Sequence, residues 1–167
     1  KLRAQNRGIN IHEMFESDLP RLWADERALR QVCLNLLSNA IKFTPSGGDI
    51  WAKVGWTASG GQYMSVKDSG PGIPDEAIPI LLCSFGQGSN AIKSAEQGAG
   101  LGLPIAKNLL DMHGGTFMLK SKVRIGTEAV ATFPSERVMA ALPPLSEQPP
   151  PTQPQARSRA ATQGRYG

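Results

Sequence analysis

Asn35 and Asn39 stand four residues apart, with Lys42 three further on, in the run Asn35-Leu-Leu-Ser-Asn39-Ala-Ile-Lys42-Phe43-Thr44. At 100° per residue the three side chains fall within about 60° of one another on a helix. Amide oxygens are hard, neutral ligands suited to Mg²⁺, with Asn39 and its neighbour Asn35 as candidates, and an ammonium beside them can neutralise phosphate charge. The ordinary reading of such a pattern is a solvated polar face. Two asparagines inside a helix are poor helix formers, however, and call for a reason. Asp68 ends the alternating run Tyr63-Met-Ser-Val-Lys-Asp68 and shares a strand face with Met64 and Val66. On a core-facing side its carboxylate needs a donor, and the exocyclic amine of adenine is a fitting one. The alternative is an aspartate that caps its own turn. Gly70 and Gly72 follow, where bare backbone can turn tightly and lie close to a ring. In Gly98-Ala99-Gly100-Leu101-Gly102-Leu103 a third cluster opens a helical pattern, so that free N–H groups and the helix dipole can reach phosphate oxygens. It is neither the G-x-G-x-x-G fingerprint after a strand nor a P-loop, since it lacks the Gly-Lys-Ser/Thr ending. Each cluster alone is weak; in this order they describe a pocket for Mg²⁺-ATP.

Such a pocket needs elements to hold it. Asp25 is the expected N-cap of the asparagine-bearing helix. Leu29, Val32, Cys33, Leu36, Leu37 and Ala40 recur at i, i+3, i+4, i+7 spacing, on a face centred about 140° from the asparagines. Gly47-Gly48 and Gly60-Gly61 bracket a strand over 50–56, and 62–67 reads as its hairpin partner. A loop-rich stretch follows over 69–98. Within it 85–97, beginning at Phe85, predicts a mobile lid over the phosphates. A second helix over 101–113 stops at Gly114-Gly115. Strands over 116–121 and 127–133, joined by a turn through Gly126, close the domain. Strands cluster late and do not alternate regularly with helices, which predicts an α+β fold with a mixed, mostly antiparallel sheet packed against helices.

Composition bounds the rest. A chain of 167 residues suits one domain with a real core. After Leu142 prolines arrive with Gln, Ser and Ala, and apolar periodicity stops. The folded domain is therefore expected over 1–142 and a disordered, Pro-rich tail over 143–167. The formal net charge is +4, but Arg157, Arg159 and Arg165 against Glu147 place +2 of it in that tail. The body has no basic stripe interleaved with aromatics, which argues against nucleic acid as a partner. No run of 18 apolar residues occurs, so no membrane contact by this chain is expected. Two cysteines, Cys33 and Cys83, make neither a disulfide framework nor a zinc site, and a reducing cytoplasm is the expected compartment. A start at Lys1 in place of Met reads as a fragment of a longer protein. His12 and His113 are expected to be structural, the latter as a cation at a helix C-terminus.

These motifs resemble the catalytic and ATP-binding domain of sensor histidine kinases, within the larger family shared with gyrase, heat-shock chaperones and mismatch-repair ATPases. The resemblance spans about 22–134. Asn35 to Thr44 resembles the asparagine box, Asp68-Ser-Gly70-Pro-Gly72-Ile73 the first glycine box, and Gly98 to Leu103 the second. The resemblance implies a two-layer sandwich fold. It implies that Asn39 coordinates Mg²⁺ with help from Asn35, that Lys42 lies near the phosphates, and that Phe43 and Ile73 contact the adenine Asp68 recognises. Gly126-Thr127 matches the position that supports the adenine-binding carboxylate, and Phe85 is the retained aromatic of the lid box. Where gyrase-type members place a water-activating glutamate, this chain has Asn35. That implies transfer of the ATP γ-phosphoryl group to a histidine on a separate dimerisation domain, for relay to a response regulator receiver domain. The full-length parent is implied to be a homodimer, with anchorage in the inner membrane left open. Leu82 replaces the first aromatic of the lid box and Ala99 a commonly hydroxylated position. These departures keep a second reading open, a kinase-like docking module without phosphotransfer.

Overall fold

The computed structural model describes residues 2–83 and 102–139. The expected lid over 85–97 with Phe85, the glycine cluster up to Leu101 (Gly98 and Gly100 included) and the tail over 143–167 lie outside the described residues.

The 18-residue helix that carries the asparagines, α2 (Glu26–Phe43), begins where expected. The Asp25 carboxylate accepts a 2.8 Å hydrogen bond from the Ala28 N–H, which satisfies one of the donors a helix start leaves open. That bond holds the Asp25 carboxyl below the usual aspartate range. At the other end Thr44 donates both its backbone N–H and its hydroxyl to the Ala40 carbonyl, and Pro45 cannot continue the helix. A four-residue helix, α1 (Leu2–Gln5), precedes the sheet.

Among the described residues, five strands form one sheet in the order β1-β2-β3-β5-β4. They are β1 (Asn10–Phe15), β2 (Asp49–Trp56), β3 (Gln62–Asp68), β4 (Thr116–Lys122) and β5 (Gly126–Phe133). Only β1 and β2 pair in parallel; the other three ladders are antiparallel. The architecture is the expected α+β, mixed and mostly antiparallel. Val32, Leu36 and Ala40 of α2, with Leu103, Ala106 and Leu110 of a fourth helix, α4 (Gly102–Met112), bury one sheet face at Ile50, Val66, Leu119, Ala129 and Ala131. The register Ile50–Asp68–Thr127 puts the Asp68 side chain on this covered face.

Two elements depart from the expected pattern. The strand β1 lies where the sequence shows no clean alternation, because it is an edge strand with five of its six residues exposed. The stretch after Gly72 is not all loop: a 3₁₀ turn (Asp75–Ala77) runs into α3 (Ile78–Leu82). Pro79 falls in the first turn of α3, where its missing N–H costs nothing. Both histidines are structural. His12 on β1 stacks on Trp51 and lies 2.8 Å from Asp49. His113 is not the expected helix-end cation. Its Nε2 accepts from the Asp25 N–H at 3.1 Å, which requires a bare nitrogen, while Nδ1 donates to the Leu109 carbonyl at 2.7 Å. Among the described residues, no helix is long and apolar enough to cross a membrane.

Candidate functional site

Between α2 and the covered sheet face lies a cavity of about 210 Å³. It brings together Asn39, Phe43, Asp68, Gly72, Ile73, Leu103 and Thr127, seven of the candidate residues from four separate motifs. The rest of its wall is apolar: Leu36 and Ala40 from α2, Val66, Leu119 and Ala129 from the sheet, Pro71, and Leu81 from α3. The register of β3, β4 and β5 puts Val66, Leu119 and Ala129 side by side. A flat apolar ring is the natural occupant of such a slot, and a single carboxylate at its edge would orient it.

Asp68 is that carboxylate, 7% exposed at the end of β3. Burial pushes its carboxyl above the ordinary aspartate range, against hydrogen bonds from the Gly70 and Thr127 backbone that pull it down. The Gly70 N–H donates to Oδ1 at 2.8 Å. Both readings of Asp68 therefore hold together: the carboxylate caps its own turn and still lines the cavity. Its backbone is locked as firmly. A Cβ on Gly126 (φ +139°) would run into the Asp68 carbonyl oxygen, and one on Gly72 (φ +74°) into the Lys122 carbonyl oxygen. At these two places only glycine allows the strands and the loop to close.

Ser121 ties this end together, and the sequence pattern does not single it out because it reads as an ordinary strand residue. Its Oγ accepts from the Ile73 N–H at 2.7 Å, lies 2.8 Å from Thr127 Oγ1 and donates to the Gly126 carbonyl at 3.0 Å. One hydroxyl thus joins β4, the β5 start and the loop carrying Ile73. Facing inward beside Thr127, in register, is the signal that distinguishes it from its neighbours.

At the opposite end, Asn35 is not part of a solvated face. It is 8% exposed because the start of α4 covers it. Its Oδ1 accepts from Gln31 Nε2 at 2.7 Å and its Nδ2 donates to the Gly102 carbonyl at 3.0 Å. Asn39 differs. Its Nδ2 is buried and has no hydrogen-bond partner among the described residues. Such an orphan costs of order 1–3 kcal/mol, so a ligand is its natural explanation. Lys42 is exposed, with its ammonium 5.7 Å from the Phe43 ring centroid, and Gly70 and Gly102 stand behind the wall without lining it. Among the described residues, no group of three or more His, Cys, Asp or Glu could hold a metal ion.

A family model described as histidine kinase-, DNA gyrase B-, and HSP90-like ATPase matches residues 24–137. The cell-division control histidine kinase PdhS of Brucella canis is 33% identical over 147 residues, 83% of this chain and 14% of that protein. The PdhS of Brucella abortus (strain S19) is 35% identical over the same length and the same shares. The chain thus spans 14% of the length of these curated relatives. Among solved structures, full-length ShkA in complex with AMPPNP is similar with a TM-score of 0.70 at 33% identity, covering 84% of this chain and 28% of that one. The nucleotide-free catalytic domain of the histidine kinase ThkA is similar with a TM-score of 0.66 at 25% identity, covering 80% of this chain and 84% of that one.

Proposed function

Because the chain belongs to the histidine kinase-, DNA gyrase B- and HSP90-like ATPase family, as the ATP-binding catalytic domain of a histidine kinase, we propose that it seats Mg²⁺-ATP in the α2–sheet cavity and presents the γ-phosphoryl group to a histidine of a separate helical domain. The observation that carries this reading is Asp68, a buried carboxylate at the polar edge of an otherwise apolar slot. The adenine lies between Phe43, Ile73 and the apolar sheet residues, and its exocyclic amine donates to Asp68. Thr127 completes that edge. The phosphates run past Asn39 toward Lys42 and Gly102 at the start of α4; Phe85, Gly98, Gly100 and Leu101, outside the described residues, are the further nucleotide-binding candidates of this reading.

The orphaned amide of Asn39 fits a divalent cation or a phosphate equally, since turning the amide by 180° offers Oδ1 in place of Nδ2. Asn39 would hold Mg²⁺, an ion suited to one protein ligand with the remainder supplied by waters and phosphates. When bound, the ion offsets phosphate charge. The chain's own groups orient the nucleotide and exclude water from the adenine end. Transfer then rests on position and electrostatics. Asn35 favours transfer over hydrolysis, because an amide is no general base and both its ends are already engaged. The acceptor domain, a receiver domain downstream and a homodimeric parent complete the proposal.

Calorimetry tests it directly. Mg²⁺-ATP should bind the unaltered chain and fail to bind the Asp68→Asn variant, and labelled phosphate should pass to an added acceptor domain only with Asn39 intact. An unaltered chain that binds nucleotide without ever labelling an acceptor would favour the docking module instead.

A further inference from the structure

We infer that Gln31 is a positioning residue for the phosphate end of the site, acting through Asn35 on the start of α4. The reasoning begins at the Gly102 carbonyl, which can only accept. The Asn35 amide lies 3.0 Å from it and must therefore present Nδ2 there, which leaves Oδ1 pointing the other way. Oδ1 is met at 2.7 Å by Gln31 Nε2. The orientation of both amides is thus forced by chemistry, and Gln31 has to be the donor. One turn of α2 separates Gln31 from Asn35, so the pair costs no distortion of the helix. The result is a relay from α2 to α4 made of two amides and one carbonyl.

What the relay positions is specific. A Cβ placed on Gly102 would lie 3.6 Å from the Asn35 side chain and 3.6 Å from Asn39 Nδ2. Gly102 therefore sits directly over both asparagines. Fixing its carbonyl fixes where the start of α4 stands against Asn39, the pair past which the phosphates are proposed to run. Gln31 touches neither the cavity nor the adenine wall. Its loss should be felt by the phosphates and not by the base. This inference rests on the nucleotide reading above for its functional consequence, but not for its geometry.

The test uses two variants of the full chain. Gln31→Leu removes the donor without adding charge. Gln31→Glu replaces it with an acceptor, so an ionised Glu would draw Asn35 Nδ2 to itself and turn Oδ1 against the Gly102 carbonyl. By calorimetry, Mg²⁺-ATP affinity should fall about fivefold in Gln31→Leu and about tenfold in Gln31→Glu, with adenosine affinity within about twofold of the unaltered chain in both. Equal loss of ATP and adenosine, or no loss of either, overturns the inference. Hydrogen exchange in the nucleotide-free chain gives an independent reading. The Ala106 amide, which bonds the Gly102 carbonyl in the first turn of α4, should exchange about tenfold faster in Gln31→Glu than in the unaltered chain near pH 7. Near pH 4 a protonated Glu can donate to Asn35 Oδ1 again, so that ratio should fall toward one, while the ratio for Gln31→Leu stays put. A ratio indifferent to pH overturns the relay. If the unaltered chain binds no nucleotide, the nucleotide reading fails and the exchange data alone decide the relay.

Discussion

At the Asp68 end of the cavity the polar groups meet one another: Gly70 and Thr127 N–H on the carboxylate, Ile73 N–H on Ser121, Ser121 on Gly126 and Thr127. At the Asn39 end a buried amide nitrogen meets nothing among the described residues. One end is organised before any ligand arrives, and its acceptors already select a donor-bearing ring. The other is built to be completed by what binds. On the proposed reading, a rigid template recognises the base, and groups whose hydrogen bonds are still to be made recognise the charged, reacting part. Preorganisation at the first end lowers the ordering cost of binding, and openness at the second keeps freedom for transfer.

The largest effect should come from breaking the rigid end at its charge. Asp68→Asn keeps an acceptor for Gly70 but turns an amide N–H₂ toward either Thr127 N–H or the adenine amine, donor against donor. Nucleotide affinity should drop about a hundredfold, since hydrogen bonds to a charged group are worth about 1.5–3 kcal/mol each. Adenosine should lose as much as ATP, because the loss is at the base; a loss confined to ATP would place the carboxylate elsewhere.

Next comes the backbone behind that carboxylate. Gly126→Ala puts a methyl into the Asp68 carbonyl at φ +139°, and should cost about 2–3 kcal/mol in urea unfolding. Affinity for adenosine should fall with it, because Asp68 would shift. Unchanged stability would mean that the β3–β5 junction is not tight, and the contrast between rigid and open ends would go with it.

How much of this was legible beforehand follows the same division. Helix α2, its Asp25 cap, the β2–β3 hairpin and the late β4–β5 pair are visible in sequence because each has a strong local signal: a cap, a period of 3.6, or alternation between glycines. That Asp68 shares a face with Met64 and Val66, four and two residues before it, was visible too, and the register shows that face to be the covered one. Strand β1 was not visible, since an exposed edge strand needs no alternation and gains its place from pairing with β2. Neither was α3, whose Pro74 and Pro79 read as breakers until the second is found in a first turn. Burial of Asn35 was hidden for a different reason. A helix wheel gives direction within α2 but cannot say that α4 will cover that flank. Ser121 and Gln31 fall in the same class: their roles exist only across elements.

The open end is probed by Asn39→Ala. Removing a buried, unpartnered amide from a helix interior should leave stability unchanged or raise it by about 0.5 kcal/mol, since alanine is also the better helix former. Mg²⁺-ATP affinity should fall about tenfold while adenosine affinity holds. That split is the opposite of the one expected for Gly126→Ala, where stability and adenosine fall together. A destabilised Asn39→Ala chain would show that the amide has a partner and that this end, too, is closed.

The smallest effect is electrostatic, and it separates the two ends by what can titrate. Burial raises the Asp68 carboxyl above the ordinary aspartate range, so the folded chain binds that proton more readily than the unfolded one. A raised carboxyl contributes stability that is fully present below the unfolded value and lost as pH rises through the folded one. Lowering pH from about 7.5 to the ordinary aspartate value of about 4 should therefore stabilise the unaltered chain relative to Asp68→Asn, the gap moving in one direction only. Adenosine affinity of the unaltered chain should move the other way over the same interval, because the proton that relieves burial removes the charge that holds the amine. Asn39 has no proton to gain, and the stability difference between the unaltered chain and Asn39→Ala should stay flat across that range. If both differences are flat, Asp68 is not buried in solution as it is in the fold, and the rigid end owes its selectivity to shape alone.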